Sequence, residues 1–411
     1  MLVALLHLGR QRETPAWQSL WAEDASVFLT DGYRDAWGTF FAQNGGYIHV
    51  VPRLVGAVAR LLPVADAALV FAFAGSVAVA LAAAFVYAAS GEVLHTRGLR
   101  LALAAAVAFL PVAGVELYAN VLNLHFYLVF ACFWALTWQS TTASAVLARS
   151  LVVLAATLSD PVSGLLVPLA IVGPTVRRGR PALIVSGCFA LGLAIQVAAM
   201  RGGDSPERNW AFHAWDVPDI LALRVGGGLL VGDRFLDDLW LWLGRAFSVS
   251  ALALFLVLVS VLFARCRRRH AVFALVSLMY ACVFFVVHLV GRGTGGMDPD
   301  AGSFHLEGAR YTLLPFLLLL TALLVLMDGS RWTWARWARA AAVMWLVGLL
   351  AANYAVGPNA RSSGPLWRQE VEEASRRCSE GSSTTVHVLA APAPPNVWFA
   401  RISCSRAAGQ R

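Results

Sequence analysis

Ten apolar runs set the terms on which this chain can fold. They lie at 66–89, 99–116, 121–138, 143–158, 161–176, 181–199, 247–264, 271–290, 311–327 and 340–356. A transmembrane helix needs about 20 mostly apolar residues, and several runs reach that length. Hydrophobic residues make up 59% of the chain and charged residues 14%, where soluble domains carry about 25% charged. Mean hydropathy is +0.66. These features predict an all-α polytopic membrane protein with about 10–11 transmembrane helices. The uncertain eleventh is residues 1–8. That stretch is too short to span and lacks the start and cleavage site of a signal peptide. It reads as the outer end of a first span whose beginning is missing, or as a stub dipping into the membrane.

The charges orient the spans. The net charge is +8 and the pI about 9.6. In a chain this apolar, such an excess means basic inner loops and not nucleic-acid binding. Four basic clusters stand out: His95-Thr96-Arg97-Gly98-Leu99-Arg100, Arg177-Arg178-Gly179-Arg180, Arg265-Cys266-Arg267-Arg268-Arg269 and the stretch 331–339. Counting spans puts all four on one side, which the positive-inside rule makes cytoplasmic. The expected location is the inner, plasma membrane, with an extracytoplasmic working face.

The opposite side carries the long loops 9–65, 200–246 and 291–310, the turns near 116–120 and 159–161, and a tail at 357–411. Residues 1–356 thus form a transmembrane module and 357–411 a small extracytoplasmic α/β tail. Cys378 and Cys404 share that tail, where a disulfide is permitted. Cys132, Cys188, Cys266 and Cys282 fall in spans or an inner loop and read as structural thiols.

The first outer loop holds a carboxylate in a costly place. The segment Trp17 to Phe28 reads as an amphipathic helix with Trp17, Leu20, Trp21, Val27 and Phe28 as its apolar stripe. Asp24 falls near the centre of that stripe and Glu23 points away. A charge on an apolar face must be paired or used. Asp24 is therefore the expected catalytic acid or base, with Glu23 as its solvated neighbour or its substitute. The bland reading is a helix-end charge, or a salt bridge to an Arg such as Arg53. Pro52 opens a second membrane-lying helix, which brings His49 and Arg53 towards the acid.

Other polar groups enter the apolar runs from the same side. Asn123 and His125 open one span, and Asp160 precedes Pro161 at a break between two short ones. Intramembrane polar residues often mark a cavity, although interfacial capping would place them there too. Arg310 and Tyr311 open a late span, with Arg292, His305 and Glu307 before them. An Arg there can hold a phosphate by charge-assisted hydrogen bonds or simply snorkel to the headgroups. The Asp298-Pro299-Asp300 motif is a weak metal signature in a Gly-rich loop. No nucleotide-binding loop, nucleophile elbow or zinc-protease motif is present.

The layout resembles the GT-C class of polytopic membrane glycosyltransferases. The resemblance rests on the long first outer loop carrying Glu23-Asp24 and two membrane-lying helices. It also rests on the many-span body with short basic inner loops, and on the start Arg310-Tyr311-Thr312-Leu313-Leu314-Pro315 of a late span. The chain departs from the class in having no Asp-x-Asp in its first loop and only a vestigial first span. The resemblance implies transfer of a sugar from a polyprenyl-phosphate donor to an envelope glycan, lipid or protein acceptor, with inversion. It implies Asp24 as base, Arg310 with Arg53 or Arg292 at the leaving phosphate, membrane lipids as surroundings and a possible divalent metal, Mg or Mn. Two competing readings are a transporter or lipid flippase, suggested by the Asp160-Pro161 break, and an inactive envelope-assembly scaffold.

Overall fold

The computed structural model describes residues 1–411 except 12, 113–114, 178, 202–211, 295–308, 333, 358, 360, 382, 393–397 and 409–411, with backbone only at 115, 176–177, 237, 292 and 309. Each of the ten apolar runs contains a helix. After α1 (Leu2–Leu8), the first loop holds a π-helical turn (Asp24–Leu29), α2 (Thr30–Asp35), the hairpin β1 (Gln43–Asn44) and β2 (Tyr47–Ile48), and α3 (Val50–Ala59). The body continues with α4 (Ala67–Ala89), α5 (Arg97–Phe109), α6 (Leu124–Thr137), α7 (Ala143–Thr157), α8 (Val167–Arg177) and α9 (Arg180–Met200). Then follow α10 (Asp216–Ile220), α11 (Gly228–Val231), α12 (Asp233–Leu243), α13 (Arg245–Ala264), α14 (Arg268–Arg292), α15 (Leu313–Asp328) and α16 (Ala335–Ala352). The tail holds α17 (Trp367–Glu380), β3 (Thr385–Leu389), β4 (Phe399–Ser403) and α18 (Cys404–Ala408).

Six helical segments are long and apolar enough to cross a membrane: Val64–Glu92, Arg180–Met200, Arg245–Ala264, Arg268–Gly291, Arg310–Asp328 and Ala335–Ala352. The other apolar runs make shorter helices. The helix of the run 99–116 stops at Phe109, because Leu110, preceding Pro111, leaves the helical region at ψ 120, and a residue before proline disfavours the helical ψ. The run 161–176 opens as a 3-10 segment after Pro161.

Two helices form the centre. α6 and α15 are apolar on every side, and almost every residue in them is buried. A helix apolar all round belongs inside a bundle. α6 packs on α4, α7, α8 and α15; α15 packs on α5, α13, α14 and α16. The outer helices carry exposed Leu, Val and Ile along one face, as lipid contact requires. α1 docks on α4, where His7 Nδ1 meets Ser76 Oγ at 3.0 Å.

The first loop departs from its predicted helix. A short 3-10 turn at Ala16–Gln18 ends at Ser19, which is extended, so Trp17, Leu20 and Trp21 do not share a helix with Phe28, and helical structure resumes only past Trp21. α2 and α3 do pack, closely enough that a Cβ on Gly32 would stand 2.5 Å from the Gly56 carbonyl oxygen. Leu54 and Val58 on α3, and Leu61 and Leu62 just past its end, are exposed.

The tail is not a detached appendage. β3 and β4 pair antiparallel from Thr385↔Ser403 to Leu389↔Phe399. Cys378 and Cys404 form a disulfide with Cα atoms 5.4 Å apart. Trp367 Nε1 donates to the Val64 carbonyl at 2.7 Å, and Ala391 N donates to the Leu20 carbonyl at 2.9 Å. The buried Arg361 guanidinium donates to the carbonyls of Tyr118 (2.7 Å), Ala119 (3.0 Å), Ala16 (3.0 Å) and Ser19 (3.0 Å). One side chain thus ties the first loop to the turn before α6.

Candidate active site

A cavity of about 340 Å³ opens at one end of the bundle. Its walls come from distant parts of the chain: Glu23, the hairpin 44–47, His49, Leu122, Asn123, His125, Phe126, 160–162, Met200, His288, Gly291, Arg310 and Tyr311. Helices α9, α14 and the segment leading into α15 each bring one end to it. Their other ends carry Arg180, Arg268 and the stretch after Asp328. α5 likewise starts in the His95–Arg100 cluster and runs towards the turn at 115–123. All four basic clusters therefore lie at the end away from the cavity, which agrees with the span count made from sequence.

The hairpin is shaped by its glycines. Gly45 and Gly46 have φ of +64° and +90°, the two positive values that a two-residue turn between paired strands demands. Gln196 on α9 donates to the Ile48 carbonyl at 3.4 Å, and Val50 N donates to the Leu158 carbonyl at 3.2 Å. These bonds deliver Tyr47 and His49 to the turn that carries Asp160.

There His125 Nδ1 lies 2.7 Å from Asp160 Oδ2. Asp160 also accepts from Val162 N at 2.9 Å and so caps the Pro161–Leu166 segment. Burial alone would raise the Asp160 pKa; the His125 ring, that backbone N–H and His288 outweigh it, and the carboxyl is held below its usual range. An ionised carboxylate can only accept, so His125 Nδ1 is the donor in this hydrogen bond. His49 stands edge-on to His125, ring centroids 5.8 Å apart. Burial, then the neighbouring His125, lowers His49 to about 3, so this ring is neutral. Its Nε2 meets the Asn44 carbonyl at 3.1 Å.

On the facing wall, Arg310 Nη1 donates to Glu116 Oε1 at 2.8 Å and Nη2 to the Tyr311 hydroxyl at 3.1 Å. Asn123 lines the cavity and donates from its side chain to the Glu116 carbonyl. Glu23 lines the same cavity and is near enough to bear electrostatically on Arg310. Among the described residues the Glu23 carboxylate has no hydrogen-bond or ion-pair partner. The backbone just before it is strained: Ala22 has φ +28°, and its N–H is held by the Ala391 carbonyl. Strain held by neighbours often accompanies a working site.

Asp24 lies on the buried side and Glu23 away from it, as the stripe predicts, but it is Glu23 that reaches the cavity. Asp24 is buried and absent from the cavity wall. Its Oδ2 and Oδ1 accept from Val121 N and Leu122 N, each at 3.0 Å, so it serves as an internal cap for the turn before α6. Burial pushes it up to about 7 against the pull of Val121, Arg361 and Leu122. The stripe read from sequence places Asp24 inward correctly; what it misses is that the inward carboxylate is used as a cap while the neighbour pointing away reaches the cavity.

Arg53 also moves out of the site. It is buried in an ion pair with Asp31, donates to the Ala42 carbonyl at 3.2 Å and lies over the Phe28 ring. His49, Asn123, His125, Asp160, Arg310 and Tyr311 all reach the cavity. Arg292 ends α14. His305, Glu307 and the 298–300 motif lie outside the described residues. Sequence reading passed over the turn of the 44–47 hairpin, the pairing role of Glu116, and His288, although His288 enters an apolar run just as His125 does.

Among the described residues the cavity offers no group of three His or carboxylate ligands within reach of one ion; the one such group, His95, His270 and Asp328, lies at the basic end. Comparison with protein-family models, with curated proteins and with solved structures finds no match to this chain.

Proposed function

We propose that this chain is a membrane glycosyltransferase that moves a sugar from a polyprenyl-phosphate donor to a hydroxyl acceptor at the outer face of the membrane. The observation that carries the reading is the placement of Glu23, a carboxylate without a partner among the described residues, and a guanidinium, Arg310, in one cavity at the non-basic end of an apolar bundle. In this reading Glu23 takes the proton of the acceptor hydroxyl. The acceptor oxygen attacks the anomeric carbon as the bond from that carbon to the phosphate oxygen breaks. The electron pair stays on the lipid phosphate, which Arg310 receives through its planar fork. One displacement inverts the anomeric centre. His49, Asn123 and the His125–Asp160 pair supply the polar groups that hold sugar hydroxyls.

The buried His125–Asp160 pair at a helix break also favours a second reading, transport, because such pairs serve proton and ion pathways. One experiment separates the two. Purified chain in lipid vesicles is given a labelled polyprenyl-phosphate sugar and a hydroxyl acceptor. Transfer of label to the acceptor supports the first reading; flux across the vesicle without transfer supports the second.

A further inference from the structure

We propose that His95, His270 and Asp328 form a divalent metal site of the zinc type at the basic end of the bundle, clipping together the starts of α5 and α14 and the end of α15. Their ligand atoms all lie within 4.8 Å of one another, and the two imidazole centroids are 5.7 Å apart. Closing this group on an ion requires only small side-chain movements to reach zinc–ligand distances of about 2.0–2.2 Å.

His270 supplies the independent indication. It is 94% buried, being 6% exposed, yet among the described residues neither ring nitrogen has a hydrogen-bond partner of good geometry. A buried imidazole left unpaired costs free energy unless a ligand completes it. The Val93 carbonyl lies beside the ring without good hydrogen-bond geometry. That is the kind of group to which a metal-bound histidine donates its second N–H.

Asp328 is already oriented. Its Oδ2 accepts from His95 N at 2.5 Å and lies 3.5 Å from His95 Nδ1; its Oδ1 accepts from Thr96 N at 3.3 Å and from the Thr96 hydroxyl. A structural ligand carboxylate is held in this way. The backbone closes tightly around the group. A Cβ on Gly329 would stand 2.5 Å from His270 Cγ and 2.8 Å from Cys266 Sγ, so a thiol flanks the same cleft. Two imidazoles and one carboxylate suit zinc or cobalt better than magnesium, which prefers oxygen ligands and keeps its waters. The neighbouring Arg97, Arg267 and Arg331 are exposed, and solvent screens their repulsion of a cation.

The test uses untagged full-length protein in detergent, stripped with a chelator and then titrated with Co²⁺ and Zn²⁺. The expected result is one bound ion per chain, a visible d–d absorption band with Co²⁺, and a higher unfolding temperature with Zn²⁺. His95→Ala alters an exposed side chain and should fold normally, while weakening binding at least about tenfold. Asp328→Asn should weaken it similarly. Substoichiometric metal, or unchanged affinity in folded His95→Ala, would overturn the proposal.

Discussion

Arg310 and Glu116 meet at 2.8 Å across 194 residues of chain, and their pairing sets the Arg310 fork against one wall of the cavity. A fork held in place receives a phosphate without first being ordered. Arg310→Ala should therefore lower transfer strongly. Arg310→Lys should recover only part of it, because the planar fork is lost while the charge remains. Glu116→Gln should give an intermediate loss with the donor KM raised. Steady-state kinetics with a polyprenyl-phosphate sugar provide the check, and full recovery in Arg310→Lys would speak against phosphate recognition by the fork.

Asp24 makes a pH prediction. A carboxyl raised to about 7 in the fold binds its proton more tightly folded than unfolded. Its contribution is then fullest below the unfolded value near 3.8, declines as pH rises, and is flat above about 7. The difference in unfolding free energy between wild type and Asp24→Asn should follow that course, with an amplitude on the order of 4 kcal/mol. A difference independent of pH between 4 and 8 would contradict this burial.

Much of this architecture is legible in the sequence because lipid imposes a simple code. The ten apolar runs hold helices, and the basic clusters gather at one end, because charge and length alone decide both. His125, Asp160 and Arg310 are legible for a related reason: a polar group in an apolar run is costly and needs a partner. What escapes is which of two neighbouring acids is used: Asp24 faces inward as its stripe predicts, but its partners Val121 N and Leu122 N lie far along the chain, and the cavity forms on the side of Glu23. The breaks at Ser19 and Ala22 depend on bonds to Arg361 and Ala391, more than 300 residues away, which no local pattern can announce. Arg53 misleads for the opposite reason, since its partner Asp31 lies in a stretch read only as loop.

The disulfide should hold the tail in place. It closes a loop of 26 residues, worth about 3 kcal/mol in a chain-entropy account. The Cys378→Ser, Cys404→Ser double variant should show faster proteolysis of the tail and reduced transfer, since the Ala391 carbonyl anchors the turn before Glu23. Unchanged proteolysis would show that packing alone secures the tail.

His125 and Asp160 should act as a unit. Asp160→Asn and His125→Ala should each weaken donor binding, and the double variant should add little, with a coupling of about 1–3 kcal/mol. Additive losses would show that the pair does not act together on the substrate.

The central claim is that Glu23, and not Asp24, is the base. Glu23→Gln preserves shape and removes basicity at a group with no structural partner among the described residues. Purified Glu23→Gln should melt like wild type while its kcat for sugar transfer falls by about 10² or more. Asp24→Asn, where it folds, should keep most of its kcat. Full turnover in Glu23→Gln, or loss of kcat confined to folded Asp24→Asn, would contradict the account.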